Sequence, residues 1–191
     1  MFRRHLIIGV LALAVFSTGP SVAQEKDKQA QKIEKQKADI DKRADQTLQK
    51  LFKEVEGSKA LYDKSAGYAV ISVTKAGFFV SGAGGSGVAI DKATKAKTYM
   101  KMGSAGAGFT FGADRFDMVF MFQTKERLAN FISGGWDSAA GAKATAGSSS
   151  AGAASDFFEG QKIFQLGDKG LMASADVTGT KYWADEDLNK K

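Results

Sequence analysis

The stretch GAGGSG, residues 82–87, lies inside FFVSGAGGSGVAI, residues 78–90. Gly82, Gly84 and Gly87 spell G-x-G-x-x-G, the pattern that cradles a dinucleotide pyrophosphate. Such a loop needs a strand before it and a helix after it, because the helix N-terminus supplies the amide donors. Here FFVS (78–81) supplies a strand, but GVAID (87–91) also reads as a strand and runs into the polar loop KATK (92–95). No helix of suitable length follows, and Asp91 stands too close to be the ribose-binding acid expected about 20 residues on. The glycines are therefore read as backbone devices, since a residue without Cβ permits sharp corners and close approach of another strand. A second small-residue cluster, GSAGAGFTFGA at 103–113, precedes a further strand. Paired clusters of this kind suit the bends of a tightly curled sheet.

Outward from this centre the pattern stays β-like. YAVISV (68–73) is rich in β-branched residues, KAG (75–77) reads as a turn, and AKTYMKM (96–102) completes a hairpin with GVAID. GFTFGA (108–113) and FDMVFMF (116–122) read as two more strands, and others are expected within 136–146, 161–166 and 170–178. The small-residue segment 140–155 is compatible with a loop or a lightly built strand. Thr124 is placed to cap a helix at 125–133, whose Leu128, Phe131 and Ile132 share a face. Ser58 is the expected cap of a short helix at 59–64, with Gly67 as the left-handed residue beyond its end. Phe109, Phe111, Phe116, Phe120, Phe122, Phe131, Phe157, Phe158 and Phe164 are assigned to the core. Short strands with turns every eight to twelve residues, and helices gathered early, predict an α+β fold: a Gly-rich antiparallel sheet curled toward a barrel, with N-terminal helices.

Residues 24–56 hold nine basic and eight acidic side chains. Ile33, Ile40, Ala44, Leu48, Leu51, Phe52 and Val55 keep to one helical face, thin before Ile40 and dense after Leu48. A helix is predicted from about 38 to 56, with a frayed or disordered start. The near-balanced charge favours a helix packed on the domain over one inserted in a membrane, which would carry excess Lys and Arg.

The first 23 residues, MFRRHLIIGVLALAVFSTGPSVA, have Arg3 and Arg4, an apolar run from Leu6 to Phe16 and small residues before Gln24. This predicts a secretory signal peptide cleaved near Ala23 and a periplasmic or secreted protein. Cleavage would leave 168 residues with the formal charge lowered from +6 to +4. The charge suits an anionic membrane surface and is too small to argue for nucleic acid. His5 lies in the leader and there is no cysteine, so the expected mature chain cannot form Ser–His or Cys–His pairs or Cys/His zinc sites. No metal or cofactor is predicted. Ser72-Val73-Thr74-Lys75 matches S-x-x-K, but its serine should open a helix and here falls in a strand. Asp185-Glu186-Asp187 lacks calcium-loop spacing and reads as a solvated tail over 185–191.

The run LFKEVEGSKALYDKSAGYAVISVTKAGFFVSGAGGSGVAI (51–90) resembles the opening of a SYLF, or YSC84-like, domain. The resemblance continues through GSAGAGFTFGADRFDMVFMF, TKERLANFIS and DKGLMASADVTGTKYW, covering about residues 48–184. It implies a lipid-binding module, with phosphoinositide affinity in eukaryotic members, some of which also bind and bundle actin. Bacterial relatives are exported, often as lipoproteins. The glycines Gly67, Gly77, Gly82, Gly84, Gly87, Gly108, Gly112, Gly170 and Gly179 are then structural positions of the domain. Family members often carry a Gly-Pro pair and an Arg where this chain has Ala146-Gly147-Ser148-Ser149-Ser150, and often end in Tyr-Gly, absent here.

Taken with the positive charge and the missing His and Cys, the resemblance implies a non-enzymatic binding module for phospholipid, with acidic head groups favoured. Lys59, Lys64, Lys75 and Lys169, each beside a motif glycine or a helix end, are the candidate head-group contacts. Phe78 and Phe79 are the candidate apolar contacts. Two other classes stand beside this reading. One is a structural or interaction protein of the envelope that docks a protein partner through the charged arm 24–47 and binds no lipid. The other is a carboxylate hydrolase using Asp114 or Asp117, for which nothing positions a second acid.

Overall fold

A computed structural model describes residues 22–77, 80–107, 112–134, 156–168, 170–171 and 180–190. A long helix α1 (Val22–Glu54) and a short helix α2 (Ser58–Lys64) lead into strands β1 (Gly67–Gly77), β2 (Val80–Asp91), β3 (Lys97–Ala107) and β4 (Gly112–Phe122). Helix α3 (Lys125–Ile132) follows, then β5 (Gln161–Gly167), β6 (Gly170–Leu171), β7 (Thr180–Ala184) and helix α4 (Glu186–Asn189). The strands form one antiparallel sheet of order β6-β5-β4-β1-β2-β3-β7.

GAGGSG lies inside β2, hydrogen-bonded to β1 on one side and β3 on the other. The strand predicted after the glycines is therefore present, but it is one strand with them. KAG is not a turn: Lys75 pairs with both Ala83 and Asp114, so β1 continues to Gly77. Residues 78 and 79 lie outside the described residues, as do 108–111, 135–155, 169 and 172–179. The expected strand at 136–146 and the segment 140–155 fall there, as do most of the strands expected at 108–113 and 170–178.

Side chains alternate between two faces, and both are buried. One face carries Ala69, Ile71, Val73, Ala89, Met100, Met102, Met118, Phe120, Phe122, Ile163 and Tyr182, covered in part by Leu128 and Phe131 of α3. The other carries Tyr68, Val70, Val88, Tyr99, Val119, Met121, Phe164 and Leu166, covered by Ala44, Leu48, Leu51 and Val55 of α1. The first face is concave. Phe120 on β4 and Tyr182 on β7 have ring centroids 5.2 Å apart, although three strands separate them, a span of about 19 Å in a flat sheet at ~4.8 Å per strand. The Tyr182 hydroxyl donates to Met118 Sδ at 3.3 Å, and Phe131 sits 4.9 Å from Phe120 and 5.2 Å from Tyr182. The sheet is curled and remains open.

The glycines of β2 explain the curl. Gly85 and Gly87 belong to the concave face, opposite Val73 and Ile71 of β1. A Cβ on Gly87 would stand 1.9 Å from the Val70 carbonyl oxygen and 2.8 Å from Ile71 Cα; on Gly85 it would stand 2.7 Å from the Ser72 carbonyl. Gly84, on the convex face, has nothing within 4 Å of such an atom. Gly67 is not the left-handed residue after α2. It opens β1, where a Cβ would press within 2.6 Å of Leu128 and 2.7 Å of the Ile90 carbonyl, so it seats α3. The left-handed glycine is Gly57, at φ 77°, the residue before α2.

Several other expectations change. The first helix begins by Val22, not near 38, because its Ala, Gln, Glu and Lys residues are strong helix formers even where nothing packs on them. Ser58 does not cap α2; it is buried and its Oγ donates to the carbonyls of Val55 at 2.6 Å and Leu51 at 3.2 Å. The opposite end of α2 is held by Lys92, whose Nζ reaches the carbonyls of Tyr62, Asp63 and Ser65 and lies 4.4 Å from the Tyr62 ring centroid. Thr124 does cap α3, accepting from the Arg127 amide at 3.3 Å. Phe158 is exposed rather than core, while Phe109 and Phe111 lie outside the described residues.

The largest departure is the C-terminus. Residues 185–189 are not a solvated tail: Asp185 is buried, caps α4 through the amides of Asp187 and Leu188, and pairs with Lys101 at 3.0 Å. Leu188 is buried against the α1 layer, and the Asn189 side chain exchanges two hydrogen bonds with the Tyr99 backbone, as another strand would.

Two outcomes follow for stability in chemical denaturation. Gly87→Ala should cost about 3 kcal/mol by overpacking against backbone that cannot move aside, whereas Gly84→Ala should stay within about 0.5 kcal/mol of the parent. Asp185→Ala should cost about 2 kcal/mol, the upper range for a lost helix cap. Comparable effects at Gly84 and Gly87 would remove the close-approach explanation.

Candidate functional site

The 33 residues of α1 span about 50 Å, and the helix crosses the convex face from β6 to β3. Its apolar stripe docks one half of that face. Beside the stripe, Gln36, Asp39, Arg43, Thr47 and Lys50 recur at spacings of three and four and form a second ridge along one flank. This polar ridge overhangs the strands where the large side chains give way to small ones.

The sheet supplies the floor. Strand register places Ser72 between Ser86 on β2 and Asp117 on β4, and Thr74 between Gly84 and Arg115. All six positions share the convex face by strand alternation. Asp117 is the keystone: its Oδ1 accepts from Ser72 Oγ at 2.6 Å and its Oδ2 from Thr47 Oγ1 at 2.8 Å. Lys50 Nζ donates to the Gly167 carbonyl at 2.6 Å. These polar ties hold helix to sheet and leave two adjoining grooves, both lined by Arg43 and Ser72. One, of about 160 Å³, adds Gln36, Asp39 and Ser86 beside Ile40, Ala44 and Val70. The other, of about 210 Å³, adds Lys50, Arg115, Thr74, Asp117 and Asp168.

The second groove brings three cations, Arg43, Lys50 and Arg115, to one place. Arg43 and Arg115 form no side-chain hydrogen bond or ion pair with the described residues. Asp117 differs, with both oxygens committed to hydroxyls, and it offers no free carboxylate pair for hydrolysis. Among the described residues no three His, Cys, Asp or Glu side chains converge as a metal site would require.

Of the lysines singled out from the sequence, Lys59 and Lys64 lie on α2 and Lys75 on β1. Lys59 is exposed and paired with Asp63 at 2.6 Å, with Phe52 and Tyr62 rings beside it, and Lys64 is exposed at the end of α2. Lys75 lies eight residues beyond the start of β1, about 26 Å away along the strand, and belongs with Val73 to the concave face. Lys169, Phe78 and Phe79 lie outside the described residues, as do Gly108 and Gly179. Gly77 and Gly112 are register partners at the ends of β1 and β4, and Gly170 has φ 106°. A Cβ on Gly82 would meet only the Ser104 carbonyl, at 3.9 Å.

Two titratable groups elsewhere, one lysine and one tyrosine, have structural surroundings. Lys162 on β5 is buried on the face that α1 covers, and burial lowers its pKa. Tyr99, against the N-terminal half of α1, has its pKa pushed up to about 12 by burial first and then by Asp41, whose Oδ2 accepts from its hydroxyl at 3.3 Å and from Lys97 at 2.8 Å. Neither belongs to the grooves.

Residues 103–191 match the profile of the Ysc84 family, described as "Las17-binding protein actin regulator". The chain is 36% identical over 151 residues to "Beta cell expansion factor A" of Aeromonas veronii, covering 79% of this chain and 58% of that protein. It is 31% identical over 144 residues to "LAS seventeen-binding protein 3" and 32% identical over 143 residues to "Protein YSC84", both of Saccharomyces cerevisiae. Each yeast match covers 67% of this chain and 30% of the relative. The chain thus spans less than two thirds of the length of these relatives. The family is one of actin-regulator-associated domains and not a known enzyme family. On the profile match and these relatives, the chain belongs to the Ysc84, or SYLF-domain, family.

Proposed function

We propose that the protein is an exported, non-enzymatic module that associates peripherally with anionic phospholipid in the cell envelope. The observation that carries this reading is the groove between α1 and the sheet, where Arg43 and Arg115, engaged by none of the described residues, stand beside Lys50. Guanidinium groups match phosphate oxygens in pairs, and a groove floored by hydroxyls excludes less polar partners. The formal charge supports attraction to an acidic surface. The N-terminal pattern of Arg3, Arg4, the Leu6–Phe16 run and Ala23 supports export. Among the described residues no helix is long and apolar enough to cross a membrane.

A second reading has its own support. Residues 25–32 of α1 are all exposed and charged or polar apart from Ala30, and one yeast relative is named "LAS seventeen-binding protein 3". This end of the helix is, among the described residues, an exposed surface open to a protein partner. Residues 33–47 pack on the domain, so the informative deletion is 24–32, which should leave the fold and lipid association intact and abolish any protein complex.

Flotation of the full chain with vesicles tests the first reading. Binding is expected to vesicles containing phosphatidylglycerol, absent from pure phosphatidylcholine, and weakened by salt as Debye screening shortens. The double variant Arg43→Gln/Arg115→Gln should bind roughly thirtyfold more weakly, each cation near an anionic surface being worth several-fold. Failure to float with either vesicle at low salt would refute the reading.

A further inference from the structure

The two adjoining grooves differ in chemistry. The larger is cationic, with Arg43, Lys50 and Arg115 set against Asp117 and Asp168. Asp117 is already engaged by two hydroxyls, and the remaining balance suits a single phosphate rather than several. The smaller groove holds hydrogen-bonding groups, Gln36, Ser86 and Asp39, along an apolar strip of Ile40, Ala44 and Val70. The Asp39 carboxylate and the Ser86 hydroxyl make no side-chain hydrogen bond or ion pair with the described residues. Arg43 and Ser72 line both compartments, so one small ligand can occupy the two together.

A phosphate seated against Arg43 and Arg115 would direct its ester oxygen toward Asp39, one helical turn along α1 from Arg43. A carboxylate there repels a second phosphate and accepts hydrogen bonds from hydroxyl groups. We propose that the paired grooves form one site for a singly phosphorylated polyol, glycerophosphate being the smallest example, and that Asp39 selects it. This rests on the reading that the cationic groove takes phosphate, and it names which phosphate ester is preferred. The ester is either the head group of a lipid or a free molecule in the envelope.

Calorimetric titration of the full chain with sn-glycerol 3-phosphate, ethyl phosphate and phosphoethanolamine tests the selection, alongside flotation on phosphatidylglycerol and phosphatidic acid vesicles. Glycerophosphate should bind about tenfold more tightly than ethyl phosphate, the effect of one hydrogen bond to a charged group. Asp39→Ala should bring glycerophosphate down to the ethyl phosphate level. Ser86→Ala, on the sheet side, should give a smaller loss in the same direction. Equal affinity for the two esters, tighter binding of phosphoethanolamine, or a preference that survives both substitutions would overturn the inference. Vesicle binding without preference for phosphatidylglycerol overturns the selection but leaves lipid association standing. Selective binding of glycerophosphate with no vesicle binding upholds the site and makes its ligand a free ester, at the expense of the lipid reading.

Discussion

Everything in this fold depends on how closely β2 lies over β1. At Gly87 the strand approaches the Val70 carbonyl so nearly that even one methyl group has no place. Gly85 repeats the constraint two residues earlier. With no side chain on the concave face at these points, the sheet rolls until β4 and β7, with three strands between them in the ladder, share an aromatic cluster with α3 of Phe120, Phe131 and Tyr182. Burial of those rings is then the reward for the curvature, since each aromatic side chain buries a large apolar area and gains further from tilted ring contacts.

Curvature also shapes the other face. A straight helix laid across a convex sheet can touch only part of it. Leu48, Leu51 and Val55 fill the region of Phe164, Met121 and Val119, and beyond it α1 meets small residues instead of large ones. The space left between the ridge Arg43–Thr47–Lys50 and the row Ser86–Ser72–Asp117 is the pair of grooves. The hydroxyl ties of Thr47 and Ser72 to Asp117 keep helix and sheet in register there. The same glycine-driven bend thus makes both the core and the site.

How much of this the sequence discloses depends on the range of the interaction. Runs of β-branched and other apolar residues mark β1 and β4, and the Thr124 cap marks α3, because those signals are local. The failure of G-x-G-x-x-G as a nucleotide loop is also local, since a strand continues where a helix is required. The α4 cap was hidden because Asp185-Glu186-Asp187 looks the same whether solvated or docked; only Lys101 and Leu188, reached through the fold, decide it. The grooves are least legible. Arg43 and Lys50 sit among nine basic residues of one charged segment, and Ser72, Ser86 and Asp117 become neighbours only through the register of three strands. A polar ridge at spacings of three and four beside the apolar stripe of α1 was the one visible sign. Among the described residues, the lysines next to glycines lie apart, Lys59 and Lys64 on α2 and Lys75 on β1.

The central claim is that ligand contacts this molecule between α1 and the sheet. The most direct measurement is amide chemical-shift mapping of the full chain during titration with a short-chain phosphatidylglycerol below its micelle concentration. The account predicts shifts centred on Arg43, Lys50, Ser72, Ser86 and Asp117, spanning helix and strands together. Shifts confined to α2, around Lys59 and Lys64, would contradict it.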